Sequence, residues 1–181
     1  MLGETEFHTF AVLTIAFIAT VTDILYNKIY NWLTLPAMVL GLLAGAYYHG
    51  GLGLLQAFFG LAAGLLLYGW MFAIRVMGAG DVKLLMAMGA LGGGLFAIDV
   101  AIVGILVGGV MALGILIFKG RIREFSRKIY RFLVSVFYKN LVLEFPEIDQ
   151  KLTMPFGVAI AVASSWVLLD NPLLKWGLRI W

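Results

Sequence analysis

Six apolar stretches alternate along the chain with polar or glycine-rich segments. An α-helix needs about 20 apolar residues to cross a bilayer, so each stretch is a candidate transmembrane helix. The glycine run at 92–94 is a plausible turn and is expected to separate the fourth stretch from the fifth. The pattern predicts an all-α fold, a polytopic membrane helix bundle with about six transmembrane helices, forming a single domain over residues 1–181. The predicted helices cover residues 7–25, 31–48, 52–75, 81–93, 96–118 and 154–169.

The composition supports a membrane location. Hydrophobic residues make up 62% of the 181 residues and charged residues only 13%, more apolar surface than a soluble domain requires. The chain has no cysteine, which excludes disulfides and thiolate metal sites. Its two histidines, His8 and His49, fall near predicted helix ends and far apart in the sequence, so we expect no metal and no cofactor. We expect no nucleic-acid partner either.

Basic residues are distributed unequally between the predicted loops, and this asymmetry predicts an orientation. Cytoplasmic loops of membrane proteins carry an excess of Lys and Arg. With the N-terminus outside, eleven basic residues fall on the inner side and only Lys175 and Arg179 on the outer side. We therefore expect a multi-pass protein of the inner (cytoplasmic) membrane with its N-terminus outside. The inner basic residues are Lys28, Arg75, Lys83, Lys119, Arg121, Arg123, Arg127, Lys128, Arg131, Lys139 and Lys151.

The long cytoplasmic loop predicted at about 119–151 combines apolar and basic positions. Its apolar residues recur at spacings of three and four, and basic residues occupy much of the rest of its first half. This pattern is typical of an amphipathic helix on the inner membrane surface, so we expect contact with anionic membrane lipid.

Elsewhere, glycines four residues apart, such as Gly60 and Gly64, allow helices to pack closely. They serve packing within the chain or, alternatively, a homo-oligomer.

Two aspartates, Asp23 and Asp81, lie at the cytoplasmic ends of their predicted helices. A carboxylate in a bilayer costs about 2.5–3.5 kcal/mol at the helix centre and less toward the surface. One interpretation is structural: Asp81 caps its helix, as Asp99 would cap the fifth, and Asp23 lies at the interface with Lys28 offsetting its charge. The other is catalytic. Two carboxyls sharing one proton perform aspartic-protease chemistry, in which one accepts a proton from water and the other donates to a carbonyl.

Four residues near these aspartates have candidate supporting or substrate-binding roles. Gly78 and Gly80 lack side chains and would let an extended substrate backbone approach the second aspartate. Lys83 either influences the protonation of the pair, contacts the substrate, or is simply a basic residue at the inner interface. Asn31 either caps the second helix or forms a hydrogen bond near the site.

Three segments resemble, in order, the motifs of the type IV prepilin peptidases. Asp23 followed by Lys28-Ile29-Tyr30-Asn31 resembles their first motif, an aspartate followed by a basic residue and Ile-Pro-Asn, with Tyr30 in place of the proline. Residues 78–85, Gly-Ala-Gly-Asp-Val-Lys-Leu-Leu, resemble the GxGD motif. Residues 154–159, Met-Pro-Phe-Gly-Val-Ala, resemble the segment that opens the last span of the family.

By this resemblance, Asp23 and Asp81 would be the catalytic pair of a membrane aspartic endopeptidase. Its partner would be a prepilin-like protein whose leader peptide is cleaved at the cytoplasmic membrane face. Long members of the family carry paired CxxC motifs and N-methylate the new terminus, whereas this cysteine-free chain resembles the short Tad/Flp-type branch without the methyltransferase domain. The alternatives are an archaeal preflagellin peptidase, another GxGD protease or, from a different class, a proton-coupled membrane transporter.

Overall fold

The computed structural model describes residues 3–120 and 155–170, together with Arg127. Within these residues every regular element is helical, and there are four helices. They are α1 Glu4–Tyr26, α2 Asn31–Ala73, α3 Ala79–Phe118 and α4 Phe156–Leu169. The first three are each long and apolar enough to cross a membrane, whereas α4 has only 14 residues. The prediction of an all-α fold with long apolar helices is confirmed; the number of membrane crossings stays a prediction.

The chain divides into two compact units, Met1–Gly108 with Pro155–Trp181, and Gly109–Met154. All the candidate site residues belong to the first unit. Nearly all of the predicted amphipathic loop at 119–151 lies outside the described residues.

The backbone of α2 and of α3 leaves the helical conformation at one glycine each. These are Gly50 (φ 59°, ψ −140°) and Gly93 (φ 86°, ψ 178°). Glycine adopts a positive φ readily because it has no Cβ. Both breaks fall where the sequence predicted the end of one helix and the start of the next. Pro36, by contrast, is accommodated inside α2 without a departure from helical dihedral angles.

The chain folds back at both breaks. In a straight helix, residues eight apart are separated by about 12 Å along the axis. Yet a Cβ on Gly45 would lie 2.6 Å from the carbonyl oxygen of Gly53, and one on Gly89 would lie 3.0 Å from Cβ of Ala97. α2 and α3 are therefore each a hairpin of two helical segments.

Glycines also make the contacts between these two hairpins. A Cβ on Gly41 would lie 2.6 Å from the backbone of Ala90, and Gly60 meets Gly89 backbone to backbone. Such contacts bring helices closer together than side chains would allow. The glycines spaced four apart in the sequence therefore serve packing within the chain, and a homo-oligomer stays a prediction.

Two predictions about helix caps are wrong. α3 begins at Ala79, so Asp81 lies in its first turn and is not its N-cap. Asp99, expected to cap the fifth predicted helix, lies inside the second segment of α3 and is only 6% exposed. The physical reason is that helical dihedral angles resume directly after Gly93, which places the start of that segment ahead of Asp99.

Candidate active site

Asp23 lies in the last turn of α1, where the helix ends at Tyr26. Asn27 follows in a left-handed conformation (φ 49°, ψ 37°), and its N–H donates to the carbonyl oxygen of Asp23 at 2.8 Å. Asparagine tolerates this conformation better than most residues, which explains why the helix stops here. Asp23 is only 5% exposed. A buried carboxylate near the negative end of a helix is unfavourable unless other groups offset its charge.

The start of α4 provides such groups, since α1 packs against α4. The backbone N–H groups of Gly157 and Val158 lie near the Asp23 carboxylate. N–H groups in the first turn of a helix have no partner within it, and that end carries a partial positive charge. A Cβ on Gly157 would lie 2.7 Å from Asp23 Oδ2. No described residue donates a hydrogen bond to this oxygen, so the nearby N–H groups at the start of α4 are the groups that offset its charge.

Asp81 lies in the first turn of α3 and is half-buried. Its Oδ2 accepts a hydrogen bond of 3.1 Å from the backbone N–H of Gly78, three residues earlier. In many helices an acidic side chain at the third position accepts a hydrogen bond from the backbone N–H of the residue that precedes the helix, and Asp81 does so here. One carboxylate oxygen of Asp81 is therefore fixed by the start of its own helix.

The structure brings the two predicted residues together. Ile29 lies between them: it packs against Gly80, which directly precedes Asp81, and against Gly157, which contacts Asp23. The end of α1 and the start of α3 therefore lie close together, and the action of the two carboxyls as one catalytic site stays a prediction.

Ile29 occupies the space between two of the motifs. A Cβ on Gly80 would lie 3.0 Å from Cβ of Ile29, and one on Gly157 would lie 2.7 Å from Cδ1 of Ile29. The loop between α1 and α2 thus inserts a side chain between the starts of α3 and α4. The missing side chain at Gly80 serves packing within the chain, and its role in admitting a substrate stays a prediction.

Lys83, two residues after Asp81 in the chain, is in direct contact with Asn31. Lys83 Nζ donates a hydrogen bond of 2.9 Å to Asn31 Oδ1, which joins α3 to the first residue of α2. Of the two roles expected for Asn31, the hydrogen bond is the one observed, since Tyr30 is the N-cap. Tyr30 has φ −84° and ψ 144°. That φ lies near the range available to proline, whose ring fixes φ at about −65°.

Tyr68 is a neighbour of the site that the sequence analysis missed. It is fully buried in α2, and its hydroxyl donates a hydrogen bond of 3.0 Å to the carbonyl oxygen of Ala101 in α3. Its ring packs edge-on against that of Phe156, with centroids 5.9 Å apart. A tyrosine inside an apolar stretch was the available signal, because a buried hydroxyl requires a partner.

The two histidines lie in a different part of the molecule. His8 and His49 line a cavity of about 450 Å³ that neither aspartate borders. Among the described residues, no three side chains of His, Asp or Glu are grouped as metal ligands would be.

Comparison with known proteins gives one match. The sequence profile of the type IV leader peptidase family matches residues 10–113, more than half of the chain. The matched region includes Asp23 and Asp81, as well as Tyr68. Searches of curated proteins and of solved structures gave no match.

Proposed function

Because the chain belongs to the type IV leader peptidase family, whose members are proteases, we propose that it is a membrane aspartic endopeptidase. Its proposed reaction removes the leader peptide of prepilin-like proteins, and Asp23 and Asp81 are the proposed catalytic pair. The observation that carries this proposal is the placement of the two aspartates on either side of Ile29, which packs against Gly80, next to Asp81, and against Gly157, which contacts Asp23. The proposal takes the short Tad/Flp-type branch as the type of peptidase, since that is the branch the sequence resembles.

In the proposed reaction, water attacks the carbonyl carbon of the scissile peptide bond. The ionised carboxylate accepts a proton from that water, while the protonated carboxyl donates its proton to the carbonyl oxygen. When the tetrahedral intermediate collapses, the C–N bond breaks and the leaving nitrogen takes the proton held by the first carboxyl. The second carboxylate recovers a proton from a hydroxyl of the intermediate, so the pair returns to its initial state.

The proposed site faces the cytoplasm at the inner membrane. In this arrangement α1, the two segments of α2, the two segments of α3 and α4 each cross the bilayer, and the N-terminus is outside. Support comes from the basic residues near the aspartate ends of the helices, Lys28, Arg75 and Lys83. A prepilin-like substrate with an apolar helix after its leader would lie in the membrane, with its cleavage site at the level of the aspartates. Membrane lipid is the second expected partner.

Isosteric substitution of each aspartate tests the proposal. In Asp23→Asn and Asp81→Asn the carboxyl loses its ability to exchange a proton while keeping its shape. We expect the rate of leader removal to fall by at least about 100-fold in each, the lower range of general acid–base contributions. The measurement is the mass of a prepilin precursor incubated with membranes. Asp170→Asn, an exposed change at the end of α4, is the matched control and should retain full activity.

The outcome also separates the alternatives. A correctly inserted Asp23→Asn or Asp81→Asn protein that still processes the precursor would overturn the catalytic assignment. A preference for a preflagellin precursor over a prepilin would identify the archaeal type of substrate. Proton flux in liposomes without any peptide hydrolysis would indicate the transporter instead.

A further inference from the structure

Tyr68 is the largest fully buried side chain among the described residues. Its hydroxyl donates a hydrogen bond of 3.0 Å to the carbonyl oxygen of Ala101, which ties α2 to the second segment of α3. Its ring contacts Phe156 in the first turn of α4. One side chain therefore joins three helices at a place with no exposure to solvent or substrate.

A path of contacts along α2 and α4 connects the segment that carries Asp81 with Asp23. One turn before Tyr68, Gly64 packs against the backbone of Met86 in the first segment of α3, and the Tyr68 ring packs against Phe156. The next residue, Gly157, packs directly against the carboxylate of Asp23. These contacts thus connect α3, α2, α4 and α1 in that order.

Gly104 leaves the room that the tyrosine hydroxyl needs. A Cβ on Gly104 would lie 2.7 Å from the Tyr68 oxygen, whereas the next nearest atom, Cβ of Ala163, would lie 3.8 Å away. The missing side chain at Gly104 therefore leaves space chiefly for the Tyr68 hydroxyl group.

Building on the proposed function, we propose that Tyr68 is a positioning residue that sets the separation of Asp23 and Asp81. It does so by holding the start of α4 and the second segment of α3 against α2, whose preceding turn packs at Gly64 against the segment that carries Asp81. Because Tyr68 is fully buried, it cannot bind substrate itself. Loss of its hydroxyl should therefore impair the chemical step while leaving substrate binding almost unchanged.

Cross-linking tests the separation without requiring any activity. The chain has no cysteine, so the double variant Asp23→Cys, Asp81→Cys contains one thiol pair. The purified protein is treated with thiol-reactive cross-linkers of graded length, with Tyr68 intact, with Tyr68→Phe, or with Tyr47→Phe as the control, since Tyr47 is 76% exposed. We expect a narrow range of effective lengths with Tyr68 intact and in the control, and a broader range in Tyr68→Phe. Identical ranges in all three would overturn the proposal.

Kinetics test the consequence with both aspartates intact. In Tyr68→Phe, kcat should fall by about 10-fold to 100-fold, since a misplacement of ~1 Å has effects of this size. KM should stay within about twofold, because ground-state binding is retained. Rates are expressed per folded protein. An unchanged kcat, or a rise in KM that accounts for the whole loss, would contradict a positioning role.

Gly104→Ala provides a second variant. Alone, its methyl group would displace the hydroxyl and lower kcat. Combined with Tyr68→Phe, it occupies the space that the hydroxyl leaves and should cause no further loss, whereas losses that multiply would count against the proposal. If the unaltered protein cleaves no leader but Tyr68→Phe still broadens the cross-linking range, the proposed function fails and the positioning role stands.

Discussion

Asp23 and Gly157 are in direct contact across α1 and α4: a Cβ on the glycine would lie 2.7 Å from the aspartate Oδ2. Two motifs that are distant in the sequence therefore meet at this contact. The contact places the start of α4 beside a buried carboxylate that would otherwise lie unfavourably at the negative end of α1. The geometry of the proposed catalytic pair consequently depends on a helix that carries neither aspartate.

Gly157→Ala should therefore impair catalysis. The added methyl group would meet both Asp23 Oδ2 and Ile29 Cδ1 at 2.7 Å and force the carboxylate to move. We expect kcat for leader removal to fall by about 100-fold, the effect of a ~1 Å misplacement. Gly109→Ala is the control, because no described atom lies within 4 Å of its added Cβ. Wild-type kcat in Gly157→Ala would show that the contact does not position Asp23.

The hairpin of α2 should depend on Gly50 and not on its neighbour. Gly50 combines a positive φ with ψ −140°, a conformation that is essentially restricted to glycine. We expect Gly50→Ala to lower the free energy of unfolding by about 1–3 kcal/mol. Gly51→Ala, which adds a methyl group in open space within the helix, should be neutral or slightly stabilising. Denaturant titration in detergent micelles measures both, and equal effects would contradict the explanation.

Lys83 and Asn31 should be energetically coupled. Their hydrogen bond of 2.9 Å joins α3 to the start of α2, and Lys83 is only half-buried. We expect a coupling free energy of about 0.5–1 kcal/mol in a double-mutant cycle of Lys83→Met and Asn31→Ala, followed by unfolding. The control cycle combines Lys28→Met with Asn31→Ala. Because Lys28 is exposed, the effects of these two substitutions on the free energy of unfolding should be additive. Additivity in both cycles would mean that the bond contributes nothing.

Leader removal should depend on pH in a bell-shaped manner. The proposed pair works with one proton between Asp23 and Asp81, because one group must accept a proton and the other donate one. In acid both carboxyls are protonated and no base remains; in alkali both are ionised and no acid remains. Initial rates measured across pH, with the stability of the protein checked at each value, should pass through a maximum. A rate that stays constant from acid to strongly alkaline pH would argue against the pair.

Hydropathy and glycine placement were sufficient to predict much of the helical architecture. The ends of the apolar stretches anticipated the breaks at Gly50 and Gly93, because a positive φ in a helix is readily supplied by glycine. The exact helix starts were less predictable. Ala79 and Gly80 adopt helical dihedral angles ahead of Asp81, so the aspartate lies inside the first turn instead of capping it.

The site was only partly predictable for a different reason. Asp23 and Asp81 could be paired from the sequence because carboxylates are rare in apolar helices and both lie at the same predicted end. Ile29 and Tyr68 could not be identified as site residues from the sequence, since apolar and aromatic side chains are common in such a chain. Their importance comes from what they touch in the folded protein. No periodicity in the sequence encodes contacts of that kind.

The backbone contact between Gly60 and Gly89 has an evolutionary consequence. Leucine and phenylalanine side chains on the exposed faces of the hairpins, such as Phe59 and Leu66, can be exchanged for other apolar residues as lineages diverge. The crossing of the hairpins has no such freedom, because a single extra carbon at either glycine would collide with a peptide group. We therefore expect Gly60 and Gly89 to remain glycine while the exposed apolar positions around them diverge.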